Sequence, residues 1–259
     1  MRGELCLGMI CTAATFAFAG DAVRVPTIVE RSLAAEKADW TAHRDFSFVQ
    51  SERQDGGSLK TYEVTMLLGT RYRRLIAVDG RPLSQADQES EDRKFRAESE
   101  KRKNEGGEEK TKRVGKSRAD RDQELTMLVQ MGKAFDFRMA GTQTVAGHPT
   151  WVFEATPKPG YDPPNQRLKV LTGMRGKMWI AQDGYHWVKL KVEVTKPVYF
   201  DGFLARVGPG TRVEMEKAPV SSDAWMPKYL SFRVDAKLLG LFSRNSQQED
   251  SFWDYRRVP

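Results

Sequence analysis

Alternation of apolar and polar residues, broken at short intervals by glycine turns, is the feature that most constrains the fold of this chain. Beyond Lys60 the apolar set recurs at every second position: Tyr62, Val64, Met66 and Leu68. A period of two is typical of a half-buried strand. His186–Thr195 repeats the pattern and follows Lys177–Ala181 through a Gln-Asp-Gly turn, which is a strong hairpin signal. In this second strand we expect Val192 on the buried face and Trp187 on the solvated face.

Segments of this kind continue to the C-terminus and predict an α+β fold. About ten antiparallel strands follow one another, separated by turns such as Asp201-Gly202 and Gly208-Pro209-Gly210. Consecutive hairpins favour a single curved antiparallel sheet, with helices covering its concave face. No internal repeat and no Pro/Ser-rich linker marks a second domain, so residues 20–259 are expected to form one domain.

A highly charged segment, residues 84–124, interrupts the strands. It holds 12 acidic and 12 basic residues among 41, a composition that resists burial. The segment up to Lys116 is either a long exposed helix, begun by Ser84 as N-cap and ended at Gly106-Gly107, or a disordered insertion whose mobility Gly115 favours. An amphipathic helix is predicted next, because its apolar residues recur at helical spacing: Leu125, Leu128, Met131 and Phe135.

The N-terminus has the parts of a secretory signal peptide. Arg2 is followed by an apolar run and then by Ala17-Phe18-Ala19, which predicts cleavage after residue 19 and export to the periplasm. Cys6 and Cys11, the two cysteines of the sequence, lie in the segment to be removed. The mature chain is therefore expected to have no disulfide, no thiolate nucleophile and no cysteine-ligated metal.

The remaining composition argues against several functional classes. The formal net charge is +7, but the basic residues do not cluster with aromatic ones, so no nucleic-acid partner is expected. His43, His148 and His186 are far apart in the sequence, and each is expected to be a polar strand or turn residue. No nucleotide-binding or nucleophile-elbow motif is present. We therefore predict no metal, no cofactor and no catalytic residue, and a binding protein in place of an enzyme.

Three C-terminal segments carry a family resemblance. GKMWIAQDGYHWVKLKV begins at Gly176, DAWMPKYLSFRV begins at Asp223, and FWDYRRV closes the chain from Phe252. Together with the signal peptide and the helices after the early strands, they resemble the periplasmic outer-membrane lipoprotein carrier superfamily (LolA-like and LolB-like). The resemblance implies a half-open β-barrel of about ten or eleven strands whose apolar hollow binds acyl chains. The charged segment departs from the carrier, and no functional residue is carried over.

The apolar faces of the sheet and the amphipathic helix supply the candidate ligand-binding residues. Flexible methionine side chains among them suit ligands of varied shape, although the same residues can equally form a packed core. The candidates are Val64, Met66, Leu68, Leu128, Met131, Phe135, Met178, Ile180, Val192, Leu230 and Phe232.

Two functions remain open from the sequence. The first is a periplasmic lipid- or lipoprotein-binding protein, whose partners are lipid acyl chains or a lipidated protein and whose role is lipoprotein sorting or carriage. The second is an envelope stress-sensing or scaffold domain that binds a protein partner through residues 84–124.

Overall fold

The computed structural model describes residues 24–200, 204–238 and 242–258. The expected signal peptide and the Asp201-Gly202 turn lie outside these residues. Within them the strands are β1 Phe46–Gln54, β2 Lys60–Leu67, β3 Thr70–Val78, β4 Arg81–Pro82, β5 Phe135–Val145, β6 His148–Pro157, β7 Met174–Ala181, β8 Trp187–Val194, β9 Val198–Phe200, β10 Ala205–Val207, β11 Arg212–Ser221, β12 Ala224–Leu238 and β13 Phe242–Arg257. The helices are α1 Val25–Ala42, α2 Gln85–Lys103 and α3 Gly107–Ala134, with short 3-10 helices at His43–Asp45 and Gln166–Gly173.

All the described strands belong to one antiparallel sheet. Its order is β4-β3-β2-β1-β13-β12-β11-β8-β7-β6-β5, and β10 joins β9 to β12 beside this path. The first and last long strands pair along their length, from Phe46 opposite Arg257 to Gln54 opposite Gln248. The path ends at β4 on one side and at β5 on the other, so the described sheet is not closed. The predicted α+β class, a single strongly curved antiparallel sheet with the form of a half-open barrel, is confirmed.

Two helices cover the concave face of the sheet. α3 has 28 residues, which corresponds to about 42 Å of helix, and it contacts β3, α1 and the 3-10 helix that precedes β7. α1 packs between α3 and the sheet, and it contacts both β5 and β12. Gly132 makes the close approach of the two helices possible, because a Cβ at this position would clash with the Leu33 side chain.

The main core lies under these two helices. Ile28 of α1 is fully buried against Phe153, Met178, Ile180 and Trp187 of the sheet. Leu128 and Met131 of α3 pack against the same cluster. Burial of such side chains is the principal favourable contribution to folding.

The charged segment is helical in the structure. Ser84 caps α2 as predicted, because its side chain accepts a hydrogen bond from the Asp87 backbone N–H. Glu98 and Arg102 form an i,i+4 ion pair with 2.6 Å between Oε1 and Nε, and the Gln85 side chain donates a hydrogen bond to Glu89. α2 ends at Lys103 with Asn104 as C-cap, before the predicted stop at Gly106-Gly107, and Gly106 is instead the N-cap of α3.

The structure differs from the sequence-based expectations at three further places. α1 was not expected from the sequence. α3 begins before the predicted amphipathic helix and continues through Gly115. Trp187, which was expected on the solvated face, is 3% exposed. The register between β7 and β8 shifts between Trp179 and Ile180. This irregularity buries both Trp187 and the next residue, Val188.

Two glycine substitutions test the continuity of α3 and the packing at the end of the second 3-10 helix, and they are expected to change the free energy of unfolding in opposite directions. Gly115→Ala is expected to raise the free energy of unfolding by about 0.5–1 kcal/mol, because alanine is the better helix former and a Cβ there meets no atom within 4 Å. Gly173→Ala is expected to lower it by about 1–3 kcal/mol, since a Cβ would lie 2.7 Å from the Lys196 carbonyl oxygen. Urea unfolding measures both, and a Gly115→Ala protein of lowered stability would contradict the continuous helix.

Candidate functional site

A buried ion cluster fixes α1 to the sheet. Lys217 of β11 places its Nζ 2.7 Å from Glu36 Oε1 and 2.7 Å from Asp39 Oδ2, both on α1. The three side chains are 5%, 8% and 2% exposed respectively. A buried cation with two carboxylates at hydrogen-bond distance is held in one geometry, since loss of any partner leaves an unpaired charge in the interior.

Neighbouring groups make further hydrogen bonds to the two carboxylates. The Trp225 backbone N–H donates to Asp39 Oδ1 at 2.9 Å, and the Trp187 N–H donates to Glu36 Oε1 at 3.2 Å. His186 Nδ1 lies 3.0 Å from Asp39 Oδ2, and its ring stacks on Trp225 at 5.3 Å between centroids.

The two carboxyl groups respond differently to burial. Burial raises the pKa of Glu36, and the nearby Lys217 only partly opposes this. Burial alone would also raise the pKa of Asp39, but the hydrogen bond from His186 and the charge and hydrogen bond of Lys217 outweigh it, so this pKa is lowered. Asp39 is therefore the fixed anion of the cluster, and we assign the cluster a structural role.

The apolar sequence patterns gave no indication of this cluster. The buried positions of α1 include Ser32, Glu36 and Asp39, so a search for apolar periodicity does not detect the helix. One signal was present: Lys217 follows Val213 and Met215 at alternate positions of β11, and a lysine on an inward face needs a buried acid.

A second feature is an open cleft beside α3, which we call the α3 cleft. Residues from three segments, 40–44, 66–71 and 113–124, together with Arg102, line a volume of about 680 Å³. This size lies within the range of small-molecule sites. One part of the wall is apolar and includes Trp40, Met66 and Val114.

The rest of the cleft wall is strongly basic. Seven arginine and lysine side chains line it, against three carboxylates. Two of the arginines hold the turn after β2: Arg102 donates to the Leu67 carbonyl at 2.9 Å, and Arg113 donates to the Leu68 carbonyl and to Glu105. These bonds explain why so polar a segment folds onto the sheet.

Arg71 and His43 lie at the inner end of the cleft. Arg71 donates to the His43 carbonyl at 2.9 Å and lies over the Phe48 ring, 4.8 Å from its centroid. Burial lowers the pKa of Arg71 to about 10. Burial and the charge of Arg71 lower the pKa of His43 to about 3, so this imidazole is neutral at ordinary pH.

The predicted ligand-binding residues occupy different places. Met66 alone of the eleven lines the α3 cleft. Leu68 lies in the turn after β2 with a φ of 45° and is 46% exposed. The other nine lie elsewhere: Leu128, Met131, Met178 and Ile180 pack in the main core, Phe135 in an adjacent cluster, Val64 is buried in β2, and Val192, Leu230 and Phe232 are half-buried strand residues.

Comparison with known proteins concerns the fold alone. A LolA superfamily protein from Nitrosomonas europaea aligns over 92% of this chain and 96% of its own, with 10% identity and a TM-score of 0.34. A DUF1329 family protein from Desulfovibrio piger aligns over 90% and 92%, with 13% identity and a TM-score of 0.32. The chain resembles the LolA superfamily. The first of these two structures belongs to the superfamily that the sequence motifs resemble.

The MucA/MucB complex of Pseudomonas aeruginosa also matches, over 88% of this chain and 99% of that one, with 10% identity and a TM-score of 0.24. No family model and no curated protein matches the sequence. Identities and TM-scores this low carry no argument about a ligand or partner.

The described residues contain neither a metal-binding cluster nor a membrane-spanning helix. No group of three or more His, Cys, Asp or Glu side chains is placed to hold a metal ion there. None of the helices in that part of the chain combines the length and the apolar character needed to span a membrane.

Substitution of Lys217 tests the buried cluster. Lys217→Met is expected to lower the free energy of unfolding by about 3–5 kcal/mol, because two buried carboxylates lose their counter-ion. Lys191→Met is the matched control. The Lys191 side chain pairs with Glu214 but is 50% exposed, so the expected loss of stability is below about 1 kcal/mol. Adding Glu36→Gln to Lys217→Met should recover part of the loss in urea unfolding. Equal losses for the two lysine variants would contradict the buried role.

Proposed function

We propose that the chain is a periplasmic protein that binds a lipid or a lipidated protein, with the acyl chain in the α3 cleft. The observation that carries the proposal is the cleft itself, about 680 Å³ between the sheet and α3 with Trp40, Met66 and Val114 on its apolar wall. Each methylene group transferred from water to such a wall contributes about 0.8 kcal/mol. A single acyl chain therefore supplies useful affinity without a polar contact.

The packing of the main core supports the cleft as the place of binding. Ile28, Phe153 and Ile180 have no exposed surface, and α1 fills the concave face where the sequence suggested a hollow. The α3 cleft lies toward β2 and β3, which contribute Met66, Thr70 and Arg71 to its wall.

Binding of a neutral acyl probe tests this function. We expect a fluorescent monoacylglycerol to bind the native chain, and Met66→Gln to weaken it by about tenfold, because a polar amide replaces an apolar wall. Leu68→Gln, two residues away on an exposed side chain, is the matched control and should bind like the native chain. Equal affinity of all three proteins, or no binding at all, would contradict the proposal.

Lipid extraction from the native protein supplies an independent measurement. The mature chain, purified from its envelope without detergent exchange, should yield an acyl lipid by mass spectrometry. The Met66→Gln protein, purified in parallel, should yield less.

A partner-binding function through the charged segment is the second candidate. The observation that favours it is α2, a 19-residue helix that has no buried residue and presents both signs of charge to solvent. Deletion of residues 84–116 does not separate the two functions, because Val114 and Lys116 line the cleft. Charge reversals on the outer face of α2, such as Lys101→Glu, are the better test: they should abolish capture of an envelope protein and leave acyl binding unchanged.

A further inference from the structure

The α3 cleft contains basic side chains that have no acidic partner. Arg102 and Arg113 are paired with Glu98 and Glu105. The other five cations of the wall form no ion pair with any carboxylate among residues 24–200, 204–238 and 242–258: Arg44, Arg71, Lys116, Arg118 and Arg121. By contrast, the buried Lys217 is paired with two carboxylates.

Arg71 is the deepest of these cations. Its bonded partner is the neutral His43 carbonyl, at 2.9 Å, and its guanidinium carbon lies 4.8 Å above the Phe48 ring. Arg121 is held in a similar way, 4.2 Å above the Trp40 ring. Aromatic faces and a carbonyl orient a guanidinium but leave its charge without a counter-ion. Several N–H groups of each guanidinium therefore remain available to donate hydrogen bonds to a ligand.

His43 gives an independent indication of a missing ligand. The side chain lines the cleft, and its Nε2 is buried without a hydrogen-bond partner in the described chain. A buried polar nitrogen left unpaired costs about 1–3 kcal/mol. A ligand oxygen at this position accepts the Nε2–H of the neutral imidazole and removes that cost.

The acidic residues of the wall form no ion pair with Arg71 or Arg121, although the charge of Glu124 acts on both. Glu124 Oε2 accepts the Trp40 indole N–H at 3.3 Å. Asp120 and Asp122 are exposed on α3. All three carboxylates lie on α3, whereas Arg71 lies on β3 and His43 in the 3-10 helix that follows α1.

We infer that the α3 cleft is an anion site that takes the phosphate headgroup of a lipid, with Arg71 and Arg121 as its charge partners and His43 Nε2 as a donor. The inference rests on the proposed function for the acyl chain, which the apolar wall receives. Arginine favours a phosphate because its planar donors match two phosphate oxygens at once. The cleft thus combines an apolar wall and a phosphate site, the two parts of an anionic phospholipid.

Competition against the bound monoacylglycerol probe tests the inference. The competitors are lysophosphatidylglycerol, unlabelled monoacylglycerol of the same chain length, and inorganic phosphate, each below any micelle-forming concentration. We expect lysophosphatidylglycerol to displace the probe at a concentration about tenfold or more below that of monoacylglycerol, as charge-assisted hydrogen bonds predict. Arg71→Gln and Arg121→Gln should each reduce this preference severalfold, while Arg175→Gln, an exposed arginine of β7, should preserve it.

The outcomes separate the inference from the proposed function. A native chain that binds the probe but does not distinguish the two lipids would overturn the phosphate site and leave acyl binding in place. Displacement by inorganic phosphate as effective as by lysophosphatidylglycerol would overturn the headgroup assignment in favour of free phosphate. A chain that binds no acyl probe contradicts the proposed function; calorimetry with inorganic phosphate then decides the anion site alone. Thermal melting confirms that each variant is folded, and Arg71→Lys, which keeps the charge, should retain part of the preference.

Discussion

The ion pairs of Lys217 with Glu36 and Asp39 are the constraint on which the rest of the structure depends. They bind α1 to β11 in the interior, where an unpaired charge is very unfavourable. α1 in turn supports α3, through the close contact of Leu33 with Gly132. The C-terminal end of α1 carries Trp40 into the wall of the α3 cleft. The position of the cleft therefore follows from a charge cluster in the last turns of the same helix.

The protein handles its two sets of interior charges in opposite ways. The Lys217 cluster is complete, since each carboxylate also receives a backbone N–H. In the α3 cleft, Arg71 and Arg121 lie over aromatic rings, and neither forms an ion pair with a carboxylate of the described chain. A cluster whose charges are all paired holds its side chains in one geometry, whereas arginines without an ion-pair partner can still bind a ligand anion. This contrast distinguishes an anchor from a candidate site.

Sequence patterns predicted the sheet well because strand periodicity depends on local alternation. The hairpin before Trp187 and the N-cap at Ser84 were both found from such local signals. The same patterns failed for α1, whose buried face carries Glu36 and Asp39 in place of apolar residues. They also failed for the binding residues: an apolar side chain that faces inward, such as Ile180, belongs to a packed core once α1 fills the concave face.

The sequence by itself determined that this chain forms a sheet of consecutive hairpins, because period-two alternation and turn glycines act over a few residues. Only the tertiary structure decided which charges meet. Lys217 and Glu36 are 181 residues apart, and the arginines of the cleft come from four elements: the 3-10 helix after α1, β3, α2 and α3. No local pattern encodes such encounters. They depend on how the sheet curves and on which helix its concave face receives.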